Sequence, residues 1–392
     1  MRVLDITSFF SDVCGGIKTY YREKARVLPM LGVECHFVVP GVVTSTEPWE
    51  AGTLHRIAGP PMFGSPFYRR FPTGDTIREL VTDIQPDVIE LGSHYLLPSM
   101  VRRVLSYCRS RPVLVGFYHA DFPETYVEPA FRWLGPLRRG PVSLAWSLVR
   151  TRHRGYDATL VASRHVQERL ERHGVSRVHC VGLGVDVETF HPQARDPAFT
   201  SAMGVEPGTI LLGYSGRLSS DKGFSVMLAA MDELHRHTRA HMVVAGDGPK
   251  RAELETFAST RPWIHVLGYL PDVRAVARML ASVDVILAPG PNESFSLSTA
   301  EALACGTPVI GADQRGNAEL VLSSGGGTIF ASGRASALVD ATQTVLRMSS
   351  QHRHELGERG RAHIVATSTW EHVFSRMHGI YAGLIRTRPM AA

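Results

Sequence analysis

The stretch Pro289-Gly-Pro-Asn-Glu-Ser-Phe-Ser-Leu-Ser-Thr-Ala-Glu-Ala-Leu-Ala-Cys-Gly-Thr-Pro-Val-Ile-Gly311 decides the fold. An apolar run, Val283 to Ala288, precedes it and stops at Pro289 and Gly290, as a buried strand does at its carboxyl end. A polar loop follows, then a small-residue helix predicted from about Ser296 to Cys305. Gly306 closes that helix, and Thr307 to Gly311 reads as the next strand. Strand, loop, helix and strand make one parallel βαβ unit. Ligands of open α/β sheets gather at the carboxyl ends of the strands, where helix N-termini point. Glu293 lies in the loop and Glu301 inside the helix. The free N–H groups near Ser296 and Leu297 can receive an anion. A phosphate flanked by two hydroxyl-accepting carboxylates suits a nucleotide sugar. The same spacing also describes one loop acid and one helix-surface acid.

Working outward, 392 residues are long for one core and point to two domains. The five cysteines, Cys14, Cys35, Cys108, Cys180 and Cys305, are scattered and form no CxxC pair. That disfavours a disulfide framework or zinc ribbon and suits a reducing, cytoplasmic setting. The N-terminus, Met1-Arg-Val-Leu-Asp-Ile-Thr7, reads as a first strand rather than a secretory signal. No apolar run approaches the roughly 18 residues that span a bilayer. Net charge is +5, and Arg supplies all but four of the 42 Lys and Arg residues. Phosphate-rich ligands and anionic membrane surfaces fit that balance. A GC-rich genome produces the same Arg preference. No nucleic-acid motif accompanies it, so nucleic acid is not an expected partner.

In the first half, Gly15 and Gly16 mark a strand-to-helix turn between Arg2–Thr7 and a helix from Ile17 to about Met30. The turn lacks GxGxxG, which disfavours a dinucleotide-binding dehydrogenase. Residues 41–75, rich in Gly, Pro and aromatics, read as a long loop. His94 and Tyr95 follow the strand Asp87–Leu91. The strand Val113–Phe117 ends in Tyr118-His119-Ala120-Asp121-Phe122-Pro123, which puts His119 at a strand's carboxyl end. Asp121, two residues on, either polarises an acceptor hydroxyl or is structural. Residues 131–155 carry six Arg and no acid, with Trp133, Leu134, Leu144, Trp146 and Leu148 interleaved. They suit an anionic membrane surface or a packed helix with an Arg-rich end.

Gly182 to Pro192 is a polar crossing. Beyond it, Gly216-Arg-Leu-Ser-Ser-Asp-Lys-Gly223 opens a helix after the strand Ile210–Tyr214. Arg217 and Lys222 thus flank a strand-to-helix turn, where two cations can neutralise a diphosphate. No GxxxxGK[ST] supports a P-loop ATPase. Asp186 and Glu188 make no convincing metal pair, and His235, His237, His241, His352 and His354 read as surface positions. No metal or other cofactor is expected.

Glu-Ser-Phe-Ser-Leu followed by Ala-Glu-Ala-Leu-Ala-Cys-Gly-Thr-Pro-Val-Ile closely resembles the Glu-x7-Glu signature of the family-4 retaining glycosyltransferases. Gly-Arg-Leu-x-x-x-Lys-Gly at 216–223, Gly246-Asp-Gly-Pro249 and the 182–192 crossing are similar to further patterns of that family. Tyr-His-x-Asp-Phe-Pro at 118–123 resembles a subgroup acting on mannosyl or glucosyl donors. The resemblance implies a GT-B fold, two Rossmann-like parallel-sheet domains facing across a cleft. It implies an N-terminal acceptor domain, 1–185, completed by a C-terminal helix, 370–388. Residues 186–369 then form the nucleotide-sugar-binding domain. It assigns His119 and Glu293 to the donor sugar, with Asn292, Ser294 and Phe295 beside it. Arg217, Lys222, Gly16, Ser296 and Leu297 go to the diphosphate, Glu301 to the ribose, and Gly246 and Leu270 to the nucleobase. The implied activity is metal-independent, retaining transfer of a hexose from a nucleoside-diphosphate sugar, GDP-linked in preference to UDP-linked. The acceptor is a lipid or a small molecule, with peripheral membrane contact open. A nucleotide-sugar epimerase, a phosphorylase or a non-catalytic sugar-nucleotide-binding protein are the alternatives.

Overall fold

The computed structural model describes residues 1–10, 16–62, 65–93, 97–107, 111–119 and 121–388. Gly15, His94, Tyr95, Cys14 and Cys108 lie outside the described residues. The chain divides into two compact units: Met1–Leu183 with Trp370–Ala392, and Gly184–Thr369.

The strands of the first unit are β1 Arg2–Ile6, β2 Glu34–Gly41, β3 Ser45–Trp49, β4 Gly52–Ala58, β5 Pro61–Met62, β6 Ser65–Arg69, β7 Val88–Leu91, β8 Val113–Tyr118, β9 Ala158–Val161 and β10 Val178–Cys180. Eight of them form one sheet in the order β10-β9-β8-β7-β1-β2-β4-β3, parallel throughout except for the antiparallel edge pair β3–β4. β7, β8 and β9 are buried along their whole length. That burial explains their continuous apolar runs, since a parallel sheet is covered on both faces. The final helix, Trp370–Arg386, belongs to this unit. It buries Trp370, Val373, Phe374, Met377 and Tyr381, an apolar stripe at helical spacing.

Two expectations change here. The first helix spans Gly16–Val27 and tightens into a 3-10 turn, Leu28–Leu31, because Pro29 cannot continue an α-helical ladder. Residues 41–75 are not a long loop. β3 and β4 extend the main sheet, β5 and β6 form a hairpin, and Asp75–Ile84 is a helix.

In the second unit, β11 Leu211–Ser215, β12 His241–Ala245, β13 Ile264–Gly268, β14 Val285–Ala288, β15 Val309–Ala312 and β16 Gly327–Phe330 form an all-parallel sheet. Its order is β13-β12-β11-β14-β15-β16. Successive strands leave β11 in one direction and β14 in the other, so the topological switch point lies between those two strands. The core gathers Leu212, Phe224, Met227, Met231, Val244, Leu287 and Ile310. The helix quoted at the outset spans Leu297–Ala304, and Gly306 follows it with a φ of 72°.

Candidate functional site

The loops that leave β11 and β14 meet at the switch point. Gly223 adopts φ 68°, and a Cβ there would lie 2.2 Å from the carbonyl oxygen of Pro289, so only glycine allows this approach. The approach puts Lys222 beside Glu293, with Nζ 2.7 Å from Oε1 and both side chains partly buried. Lys222 and Glu293, one from each loop, are therefore ion-paired. The Arg217 guanidinium is exposed nearby, and its carbonyl accepts a hydrogen bond from Tyr214 Oη at 2.8 Å. Burial, and next the Glu293 charge, push the Tyr214 hydroxyl up, which keeps it a neutral donor.

A buried relay fixes the Glu293 loop. Ser296 takes a left-handed backbone, φ 76°, just before the helix Leu297–Ala304. Its hydroxyl donates to Thr299 Oγ1 at 2.9 Å, and Thr299 donates to Asn317 Oδ1 at 2.8 Å. Asn317 Nδ2 then donates to the carbonyls of Ala288 (3.2 Å) and Gly290 (2.8 Å), the end of β14 and the start of the loop. The neighbouring Gly316 N–H holds the Glu293 carbonyl at 2.8 Å, and a Cβ on Gly316 would meet Phe295 N at 2.6 Å. Ser296 thus spends its hydroxyl on the relay. No side chain caps the helix start, where Leu297 sits. Asn292 and Ser294 are partly exposed, whereas Phe295 is buried and turns its ring into the protein.

The Glu301 side chain, in the helix Leu297–Ala304, has no hydrogen-bond or ion-pair partner among the described residues. Burial lifts its carboxyl to about 8. Gly246 follows β12 and donates to the Gly268 carbonyl at 2.8 Å, and Leu270 follows β13. Arg217, Gly246 and Leu270 therefore lie at the carboxyl ends of three adjacent strands. Sequence reasoning missed Asn317, Gly316, Thr299 and Tyr214.

In the first unit, His119 directly follows β8. Its ring stacks on Phe117 (4.2 Å between centroids, 16° between planes) and meets the edge of Tyr20. Tyr20 belongs to the helix Gly16–Val27. Asp121 is turned into the protein: it is buried, its Oδ2 lies 3.4 Å from Arg169 Nε, and its Oδ1 accepts from Tyr118 Oη at 3.5 Å. Arg169 also pairs with Glu124.

Below this rim lies a second missed feature. Lys24 is fully buried, 2.7 Å from Asp5 and 3.0 Å from Glu90, and Tyr381 of the final helix donates to Glu90. Burial, reinforced by the Glu90 charge, holds the Asp5 carboxyl well above the usual range. Burial opposes ionisation of Lys24 and Glu90, but Asp5 and then Glu90 hold the Lys24 ammonium above its ordinary value, and Lys24 with the Tyr381 hydrogen bond holds the Glu90 carboxyl below its own. Two of the presumed surface histidines are also more enclosed than expected. His241 bonds His265 at 3.0 Å, and His235 stacks on Trp263. No group of three or more metal-ligating side chains occurs among the described residues.

Residues 201–363 match the model of the glycosyl transferases group 1, and residues 14–189 match that of glycosyltransferase family 4. A GDP-mannose-dependent alpha-(1-6)-phosphatidylinositol dimannoside mannosyltransferase of Mycobacterium tuberculosis is 31% identical over 382 residues, covering 96% of this chain and 95% of that protein. A GDP-mannose-dependent alpha-mannosyltransferase of Mycolicibacterium smegmatis is 32% identical over 255 residues, covering 63% of each. The solved sucrose-phosphate synthase of Thermosynechococcus elongatus superposes with a TM-score of 0.80 at 18% identity, covering 99% of this chain and all of that one. The chain belongs to the family-4, group 1 glycosyltransferases and has the GT-B fold. It is a transferase that uses a nucleotide sugar.

Proposed function

We propose that this glycosyltransferase moves a mannose-type hexose from a GDP-linked donor to a lipid-linked acceptor, with retention of anomeric configuration and without a catalytic metal. The observation that carries the donor reading is the Lys222–Glu293 pair at the switch point of the second sheet. A diphosphate there takes Lys222 and Arg217, and the sugar hydroxyls take Glu293, so the donor exchanges the Lys222–Glu293 pair for contacts of its own. The helix start at Ser296 and Leu297 adds N–H donors for the same diphosphate, and we assign Gly16 to it as well. Glu301 accepts from the ribose hydroxyls, and the backbone at Gly246 and Leu270 borders the base. His119 contacts the sugar. Asp121, held by Arg169, positions the segment after His119.

The chemistry follows from charge. The acceptor attacks on the face from which the diphosphate leaves, and the departing phosphate oxygen accepts the acceptor's proton. Arg217 and Lys222 absorb the charge that grows on the leaving group. Glu293 positions the sugar rather than acting as a base on the opposite face. The names of both mycobacterial relatives support GDP-mannose, and that of the longer match supports a phosphoinositide-type acceptor. A thermal-shift panel of GDP, UDP, ADP and dTDP with their sugars tests the donor. The largest shift is expected with the GDP-linked sugar; a larger shift with UDP or its sugars overturns the base assignment.

A further inference from the structure

The helix Arg139–His153 has two apolar faces. One is satisfied: Ala145, Trp146, Val149 and His153 are buried in the first unit. The other faces water. Leu144 is 73% exposed, and Leu148, one turn on, shares its side of the helix, about half a turn round from Trp146. The 3-10 segment Arg132–Arg138 before it adds Trp133 at 79% and Leu137 at 76% exposure. Gly135, at φ 55°, breaks the helical path between Trp133 and Leu137. Of the five tryptophans Trp133 alone is exposed. A cluster of this kind on a folded unit marks a contact surface.

The charge of the segment selects the partner. From Pro129 to Gly155 the chain has six Arg and no Asp or Glu. Arg139 and Arg154, at the two ends of the helix, are exposed, and Arg138 is half-buried against Glu128. The outward leucines are flanked by Thr151, Ser147, Gly140 and Pro141 rather than by charges. An indole, three leucines and a border of guanidinium groups match the layering of an anionic bilayer, with acyl chains inside and phosphates outside. No helix of the described residues is long and apolar enough to cross a membrane, so the contact would be interfacial.

We propose that Trp133, Leu137, Leu144 and Leu148, bordered by Arg138, Arg139 and Arg154, form the surface by which the first unit docks on an anionic lipid bilayer. The proposal deepens the lipid-acceptor reading and rests on it for its purpose: docking would bring the transferase to an acceptor that stays in the membrane. The physical claim is separable, because docking requires neither donor nor turnover.

The test is co-sedimentation of the full chain with vesicles of equimolar phosphatidylglycerol and phosphatidylcholine, with pure phosphatidylcholine as control. The wild type is expected to bind the anionic vesicles and to be released by salt. Combined Trp133→Ser, Leu137→Ser and Leu144→Ser substitution is expected to lower partitioning roughly tenfold or more, because that apolar burial is lost. Arg138→Gln with Arg139→Gln is expected to weaken binding to anionic vesicles only. Both variants change exposed or half-exposed positions and are expected to keep wild-type melting temperature and GDP affinity. Three results overturn the proposal: no wild-type binding at low salt, unchanged binding of the triple variant, or a patch that instead holds two copies of the chain together, seen as a dimer that the triple variant makes monomeric. If vesicle binding behaves as stated but no GDP-linked sugar is used, the reaction assignment falls and the surface stands.

Discussion

Glu301 gives the protein a pH dependence that tests its proposed role. Its carboxyl is raised to about 8, so the folded chain keeps a proton that the unfolded chain loses near its ordinary value. Stability of the ligand-free protein should therefore fall as pH rises from about 4.5 to about 8 through this group. In the proposed ribose role, Glu301 accepts hydroxyl hydrogens in its ionised form, so donor binding should release that proton. A nucleoside-diphosphate sugar carries no phosphate that titrates in this range. Its affinity should rise with pH, by up to tenfold per unit below about 8, and Glu301→Gln should remove the slope; calorimetric titration at several pH values reads this. A flat wild-type profile contradicts the ribose assignment. The ion pair at the switch point makes a second prediction. Lys222→Ala should weaken GDP binding by roughly 1.5–3 kcal/mol, the worth of a charge-assisted contact. Glu293→Gln frees Lys222 for the diphosphate, so it should keep or improve GDP affinity while transfer is lost. Equal loss of GDP affinity in both variants would show that Glu293 binds nucleotide. These residues were legible because their motifs are local in sequence. Their pairing was not, since it joins positions 71 residues apart.

At the scale of elements, the loop after β14 keeps its shape through Asn317, on a different helix. Asn317→Ala leaves two backbone carbonyls and Thr299 without their partner, a loss of about 1–3 kcal/mol. Turnover should fall more than GDP affinity, because the displaced group is Glu293 rather than Arg217 and Lys222, the proposed phosphate contacts. Unchanged kcat in a variant with lowered melting temperature would reduce Asn317 to a packing residue. The βαβ unit itself was legible from its apolar runs and glycine stops. The relay was not, because Asn317 meets Ala288 and Gly290 across 29 and 27 residues and no periodicity records that. Residues 41–75 misled for another reason. β3 is largely exposed and contains Pro48, and β5 is two residues long and begins at Pro61, so neither shows an apolar alternation. The second apolar face of Arg139–His153 is the converse case. Leucines and tryptophans interleave in the sequence, and only the folded helix separates those that pack from those that face water.

At the scale of the molecule, the last helix returns to the first unit and is fastened there by charge as well as by apolar packing. Tyr381 reaches both Lys24 and Glu90, groups more than 290 residues before it. Truncating one member of such a cluster strands the others: Lys24→Ala should cost about 3–5 kcal/mol, read by denaturant unfolding of the full chain. A variant as stable as the wild type would show that the cluster contributes nothing to holding the helix. The helix was visible in the sequence from its apolar stripe, whereas the buried lysine was not, because Tyr20-Tyr21-Arg-Glu-Lys24 reads as an ordinary amphipathic surface. The proposed reaction also belongs to this scale. With purified chain, excess chelator, a GDP-linked α-hexose and a phosphoinositide-type acceptor, proton NMR of the product's anomeric signal tests the account most directly. The account predicts an α-linked product formed in the presence of chelator; a β-linked product, or activity that returns only on adding magnesium or manganese, would contradict it.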